Sequence, residues 1–71
     1  MTDKPQPKKE ISIDWAGKNT HLIYFYASVD AMEDMQEFGT IERWGNHNQY
    51  RLEVDKRYDF DEVVKYIQEY N

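Results

Sequence analysis

In the first half of the chain a stretch of alternating hydrophobic and polar residues is followed by a continuous apolar and aromatic stretch. In the first stretch Ile11, Ile13 and Trp15 are separated by polar residues, which predicts a β-strand with all three on its buried face. Residues 17–19 read Gly-Lys-Asn, and the second stretch covers residues 21–29. Because glycine and asparagine suit a three-residue hairpin loop, the two stretches are predicted to pair as a β-hairpin.

The register of this hairpin follows from the loop length. A three-residue loop pairs Ile13 with Ile23 and Ile11 with Phe25, so both pairs lie on one face of the sheet. Consecutive residues of the second strand point to opposite faces. The residues predicted on its core face are Ile23, Phe25, Ala27 and Val29.

A short helix is predicted after the second strand. Asp30 is its expected N-cap, with Glu33 three residues later as in a capping box, and Gly39 is placed where a helix ends. A helix this short is not stable alone, so it must pack on the sheet. Its apolar stripe consists of Ala31, Met35 and Phe38.

A second hairpin is predicted from the charges of its two strands. With the tip at residues 46–47, Glu42 pairs with Arg51 and Ile41 pairs with Leu52. Opposite charges then meet on one face and apolar side chains meet on the other. In the later strand the inward residues are Tyr50, Leu52 and Val54, and the outward residues are Arg51, Glu53, Asp55 and Arg57.

The last element is the clearest helix. Asp59 is predicted to cap it, and Glu62 completes a capping box. Its apolar stripe consists of Phe60, Val63, Val64, Ile67 and Tyr70. The element order is then ββαββα, an α+β two-layer domain with a four-stranded antiparallel sheet in the order 1-2-4-3 and two helices on one face.

The chain divides into a short tail and one domain. Residues 1–9 contain both prolines and, apart from Met1, no large apolar residue, which predicts a disordered N-terminal tail. The tail has a net charge of +2, whereas residues 10–71, the single α+β domain, have −7. A domain this acidic repels phosphate, so duplex nucleic acid is disfavoured, and its charge suits either a basic protein partner or simply solubility.

Composition excludes several classes of protein. The chain of 71 residues contains no cysteine, so it has no disulfide, no thiolate nucleophile and no cysteine zinc site. No apolar run approaches the ~20 residues of a membrane span, and the first ten residues are too polar for a signal peptide. We therefore expect a cytoplasmic protein with no membrane partner.

Candidate catalytic groups are few, and each has a structural explanation. His21 and His47 are expected at hairpin ends, and Ser12 and Ser28 lie outside any Gly-x-Ser-x-Gly elbow. The three glycines are spread over separate turns and form no phosphate-binding loop. The carboxylates lack the spacing of a calcium loop. We therefore expect no enzyme activity, no cofactor and no metal site.

One predicted surface is a candidate binding site. The outward positions of the second strand are apolar or aromatic, although the two helices cover only the opposite face. Exposed aromatic area often marks an interaction site, with Tyr, Trp and Arg as preferred anchors. The predicted aromatic sheet face consists of Leu22, Tyr24, Tyr26 and Trp44, rimmed by Arg51 and Arg57. The expected partner is another protein or a second copy of the chain.

The sequence is compatible with two alternative functions. Acidic residues on the first helix, Glu33, Asp34 and Glu37, could imitate nucleic acid and let the chain inhibit a basic nucleic-acid-binding protein. The aromatic sheet face could instead stack on the bases of single-stranded nucleic acid. The acidic domain argues against this last function.

Overall fold

Four strands and two helices follow one another in the order ββαββα. The computed structural model describes residues 10–45 and 48–70. The predictions for the tail and for the hairpin tip with His47 lie outside the described residues. In chain order the elements are β1 (Ile11–Gly17), β2 (Leu22–Ala27), α1 (Val29–Met35), a 3₁₀ turn (Gln36–Phe38), β3 (Gly39–Arg43), β4 (Gln49–Val54) and α2 (Phe60–Gln68).

The four strands form one antiparallel sheet in the order β1-β2-β4-β3. The connection through α1 therefore places β3 beyond β4, so β1 and β3 are the two edges of the sheet. α2 packs over β1, and α1 contacts β2 and β3. This arrangement confirms the predicted α+β fold and its strand order.

The core lies between the inner sheet face and the two helices. Phe25, Leu52 and Ile67, predicted to be central, are at most 1% exposed and belong to one cluster. The ring of Tyr50 packs on Phe25 with the centroids 5.7 Å apart. The other buried residues are Ile11, Ile23, Ala27, Ala31, Met35, Phe38, Val54, Phe60 and Val63.

The second hairpin has the predicted register. Ile41 pairs with Leu52 and Glu42 pairs with Arg51, and the Arg51 guanidinium donates a hydrogen bond to the Glu42 carboxylate. The inward residues of β4 are buried. Matching charges and apolar side chains across the two strands therefore sufficed to predict their pairing.

The first hairpin has a longer loop than predicted. Gly17 pairs with Leu22, which leaves a four-residue loop at residues 18–21. Within this loop His21 adopts the left-handed conformation with φ 59°. The predicted three-residue loop was therefore wrong.

For Ile11 and Ile13 the strand pairs differ from the prediction, but the faces do not. Ile13 pairs with Phe25 and Ile11 pairs with Ala27, so the predicted pairs were wrong by two residues. A shift of two residues keeps the side chains on the same face, whereas a shift of one would have reversed them. Ile11, Phe25 and Ala27 are accordingly all buried.

Trp15 lies on the outer sheet face and not on the inner face as predicted. The register shifts between Ile13 and Trp15, which marks a β-bulge around Asp14. The extra residue of a bulge reverses the alternation of the strand. Ala16 therefore packs against the core, and Trp15 is 49% exposed.

α1 begins two residues earlier than predicted. β2 ends at Ala27, and Ser28 is the N-cap because its side chain accepts a hydrogen bond from the Ala31 amide (3.2 Å). Asp30, the predicted cap, lies in the first turn of the helix. Val29, predicted on the core face of the strand, is the first helical residue and is 53% exposed.

α2 begins as predicted. Asp59 is its N-cap, and its carboxylate accepts a hydrogen bond from the Asp61 amide (3.1 Å). Phe60, Val63 and Ile67 are buried, while Val64 and Tyr70 are partly buried against the core. Among residues 10–45 and 48–70, no helix is long and apolar enough to span a membrane.

The 3₁₀ turn ends at Phe38, and β3 begins at Gly39. A Cβ atom at this position would overlap the carbonyl oxygen of Glu53, a backbone atom that cannot move aside. Glycine therefore allows the close approach of β3 and β4 that pairs Gly39 with Val54.

Candidate binding surface on the outer sheet face

The outer sheet face is formed by the outward residues of the strands. In β2 these are Leu22, Tyr24 and Tyr26, as predicted from the alternation of the strand. The strand pairing places Tyr24 between Trp15 of β1 and Arg51 of β4. Tyr24 is therefore at the centre of this face.

Trp44 reaches the outer face from the end of β3. Its amide donates a hydrogen bond to the Gln49 carbonyl (2.8 Å), which extends the β3–β4 pairing by one residue. The Trp44 and Tyr24 rings have centroids 5.2 Å apart and planes inclined by 69°, and the Trp15 and Tyr24 rings have centroids 5.5 Å apart and planes inclined by 58°. We call these three residues, Trp15, Tyr24 and Trp44, the aromatic row.

Arg51 is held against the aromatic row by several contacts. Its guanidinium carbon is 5.5 Å from the centroid of the Trp44 ring, within the range of a cation–π interaction. It also forms an ion pair with Glu42. The pKa of Arg51 is raised above its usual value, mainly by a hydrogen bond with the Tyr24 hydroxyl. A positive charge is therefore fixed beside the row.

Both tryptophans of the aromatic row are open to solvent. Trp15 is 49% exposed and Trp44 is 48% exposed, while Tyr24 between them is partly buried. Further along β2, Tyr26 is exposed, and its hydroxyl accepts a hydrogen bond from Gln49 Nε2 (2.7 Å). Ring surface is thus available on the side of the sheet opposite the helices.

The structure brings most of the predicted aromatic sheet face together. Arg57 lies elsewhere, in the turn after β4, with its guanidinium carbon 5.3 Å from the Tyr58 ring centroid and its Nε 4.0 Å from the Asp55 carboxylate. Trp15 was missed because the bulge at Asp14 is not visible in the alternation of the sequence. The predicted residues that share the outer face are Leu22, Tyr24, Tyr26, Trp44 and Arg51.

The acidic residues of α1 and the 3₁₀ turn have different surroundings. Glu33, Asp34 and Glu37 are all exposed. Asp34, however, accepts a hydrogen bond from the Tyr70 hydroxyl (2.5 Å), and this bond is the main cause that raises the pKa of Tyr70 to about 12. Asp34 therefore links the first helix to the end of the chain.

The candidate catalytic groups have structural contacts. The Ser28 side chain caps α1 and donates to the Glu10 carboxylate (3.1 Å). The His21 ring lies edge-on to Phe60 with the centroids 6.0 Å apart, and its carbonyl accepts a hydrogen bond from the Val54 amide. Within residues 10–45 and 48–70 no three His, Cys, Asp or Glu side chains lie close enough to hold a metal ion.

Comparison with known proteins gives no relative from which a function can be inferred. No protein family model, no curated protein and no solved structure matches this chain. The geometry of the outer sheet face is therefore the basis for the functional argument.

Proposed function

We propose that this chain is a small non-catalytic interaction module that binds a basic protein through the aromatic row. The observation that carries this proposal is the position of the row, in which two half-exposed tryptophans flank Tyr24 on the sheet face opposite the helices. Contiguous exposed aromatic surface commonly marks an interaction site. Tyr, Trp and Arg are also the residues that most often dominate the energy of an interface.

The aromatic row is arranged before any partner binds. Its backbone positions are fixed by one sheet, in β1, in β2 and just after β3, and each ring contacts the next. Arg51 is already held by Glu42 and by the Trp44 ring. Side chains that are fixed in advance lose little conformational entropy on binding, which favours affinity.

The charge of the domain favours a basic partner. Residues 10–71 contain six basic and thirteen acidic residues, and Glu53 adds an exposed carboxylate to the outer face of β4. Complementary charge accelerates association and disfavours partners of like charge. The exposed ring surface of Trp15 can also receive a lysine or arginine side chain. A second copy of the chain has the same negative charge and is the weaker candidate.

We place this interaction in the cytoplasm and without a cofactor. The chain contains no cysteine, so its fold needs no oxidising compartment. The aromatic row supplies binding surface and a fixed cation, and neither feature requires a bound metal or prosthetic group.

A pull-down from cell extract tests the proposal with two variants. Tyr24→Ala/Trp44→Ala removes the centre and one end of the aromatic row. Tyr66→Ala is the matched control, because Tyr66 lies on α2 and is 47% exposed, nearly the same as Trp44. We expect the double variant to lose partners that the parent and the control retain. Identical partner sets for all three proteins would refute the proposal.

The size of the effect is measurable with one purified partner. Truncation of Trp44 alone should weaken binding by about 2 kcal/mol or more, which is about 30-fold in Kd. The melting temperature should change little, because Trp44 lies outside the core cluster. If Trp44→Ala instead unfolds the domain, the indole is part of the core and the aromatic row is not a binding surface.

Charge mimicry of nucleic acid is the second candidate function. It is supported by the exposed carboxylates of Glu33 and Glu37 on a domain with a net charge of −7. Charge contributes to both complexes, but a complex held by charge alone weakens far more steeply as ionic strength rises than one anchored by aromatic side chains. Steep salt dependence, together with unchanged binding by Trp44→Ala, would favour mimicry.

A further inference from the structure

A second surface, separate from the aromatic row, lies on the inner sheet face beside the free edge of β3. A groove of about 300 Å³ lies there between α1 and the sheet. The residues that line it are Val29, Met32, Gln36, Ile41, Arg43 and Tyr50.

The floor of the groove is apolar. Tyr50 is buried, and Met32 and Ile41 are partly buried against the core. Val29, at the start of α1, exposes 53% of its surface at the rim. An apolar side chain of a ligand would bury this surface favourably.

The backbone of β3 is available for pairing at the same place. The Trp44 amide donates to the Gln49 carbonyl, and the Asp55 amide donates to the Phe38 carbonyl. In an antiparallel pair the residues that bond to the partner strand alternate with residues whose amide and carbonyl point away. Between these two bonds, the residues whose amide and carbonyl groups point away from β4 are Gly39, Ile41 and Arg43.

Arg43 supplies a positive charge at the end of the groove. Its guanidinium forms no ion pair or hydrogen bond with another residue of the described ranges, 10–45 and 48–70. By contrast, Lys18 pairs with Asp61 and Arg51 pairs with Glu42. A cation that pairs with no carboxylate of the described residues, and that lies beside an apolar groove, suits a ligand that combines an apolar side chain with a carboxylate.

We propose that the free edge of β3 and the adjoining groove bind an extended peptide segment of a partner protein. The segment pairs with β3 as a fifth strand, places an apolar side chain in the groove and sets a carboxylate against Arg43. In this mode of recognition the backbone hydrogen bonds supply affinity, and the pocket beside the strand supplies specificity. The site is independent of the aromatic row, which lies on the opposite face.

A second copy of the chain fits this site less well than a peptide with an apolar side chain and one carboxylate. If the two β3 strands paired with each other, the inner-face residues brought to the site would be Gly39, Ile41 and Arg43, none of which is acidic. The carboxylate of β3, Glu42, points to the outer face and is already paired with Arg51. A copy would therefore leave Arg43 without a carboxylate.

A display library of random decapeptides, selected on the full chain, tests this inference. The enriched peptides should carry apolar residues next to Asp, Glu or a free C-terminal carboxylate. Synthesised peptides are then titrated against the parent, Arg43→Gln and Lys65→Gln. Arg43→Gln should weaken binding by about tenfold or more. Lys65→Gln removes an exposed charge from α2 and should leave the Kd unchanged.

Amide hydrogen exchange identifies strand addition directly. A bound peptide should slow exchange at the Ile41 and Arg43 amides, which point to the free edge, and change Thr40 and Glu42 little because these already bond to β4. The inference is overturned if no peptide is enriched, or if Arg43→Gln binds as tightly as the parent. Loss of peptide binding by Trp44→Ala rather than by Arg43→Gln would also overturn it. So would slower exchange of the Ile41 and Arg43 amides, without any peptide, as the concentration of the chain rises.

Discussion

Phe25 and Trp44 occupy opposite faces of one sheet. Phe25 is 1% exposed and packs on Tyr50 in the core, whereas Trp44 is half exposed and packs on Tyr24. Phe25 and Tyr24 are neighbours in β2, and adjacent residues of a strand point to opposite faces. The alternation of β2 therefore separates aromatic residues that stabilise the fold from those that remain accessible.

Replacement of Phe25 by alanine should unfold a large fraction of the molecules. The buried ring leaves a cavity, and such a change costs about 3–5 kcal/mol, a large share of the stability of a small domain. Chemical denaturation measures this loss, with Phe25→Leu as a control that should cost much less. A Phe25→Ala variant as stable as the parent would contradict the assignment of the inner face of β2.

Tyr70 makes stability depend on pH in the alkaline range. Its hydrogen bond to Asp34 raises the pKa from 10.0 to about 12, so folding favours the protonated phenol. The contribution of this bond to stability is complete below pH 10 and is lost as the pH rises towards 12. Ultraviolet absorbance follows tyrosinate formation, and the parent should show a titration step at high pH that Tyr70→Phe lacks. Asp34→Asn should lower the pKa of Tyr70. An unchanged pKa of Tyr70 in Asp34→Asn would contradict the hydrogen bond.

At the scale of elements, the two hairpins show what could be predicted from the sequence. The β3–β4 register followed from matching Glu42 with Arg51 and Ile41 with Leu52. The β1–β2 register failed because the loop has four residues instead of three, with His21 in the left-handed conformation, and because the bulge at Asp14 shifts the pairing by one residue. Local backbone geometry, rather than side-chain pattern, determined that register.

The start of α1 is also set locally, by Ser28. Ser28→Ala removes the side chain that accepts from the Ala31 amide and should lower the free energy of unfolding by about 1 kcal/mol. Asp30→Ala removes a carboxylate that lies in the first turn but caps nothing, and should cost about 0.5 kcal/mol or less. Thermal denaturation of both variants decides between the two caps. A larger loss for Asp30→Ala would support the cap expected from sequence.

At the scale of the whole molecule, two helices cover one face of a four-stranded sheet. The tyrosines of the outer face could be predicted from the alternation of β2 alone. Trp15 could not be predicted, since the bulge at Asp14 moves it from one face to the other. The aromatic row therefore depends on an irregularity that becomes visible only when the strands are paired.

The accessibility of Trp44, before and after a partner binds, tests the aromatic row most directly. Trp15→Phe leaves Trp44 as the single tryptophan of the chain, so its fluorescence reports on one side chain. We predict that acrylamide quenches this fluorescence readily in the free protein, and much less in the complex with a protein recovered by pull-down. Strong shielding of Trp44 in the free protein, or equal quenching with and without the partner, would contradict the proposed binding surface.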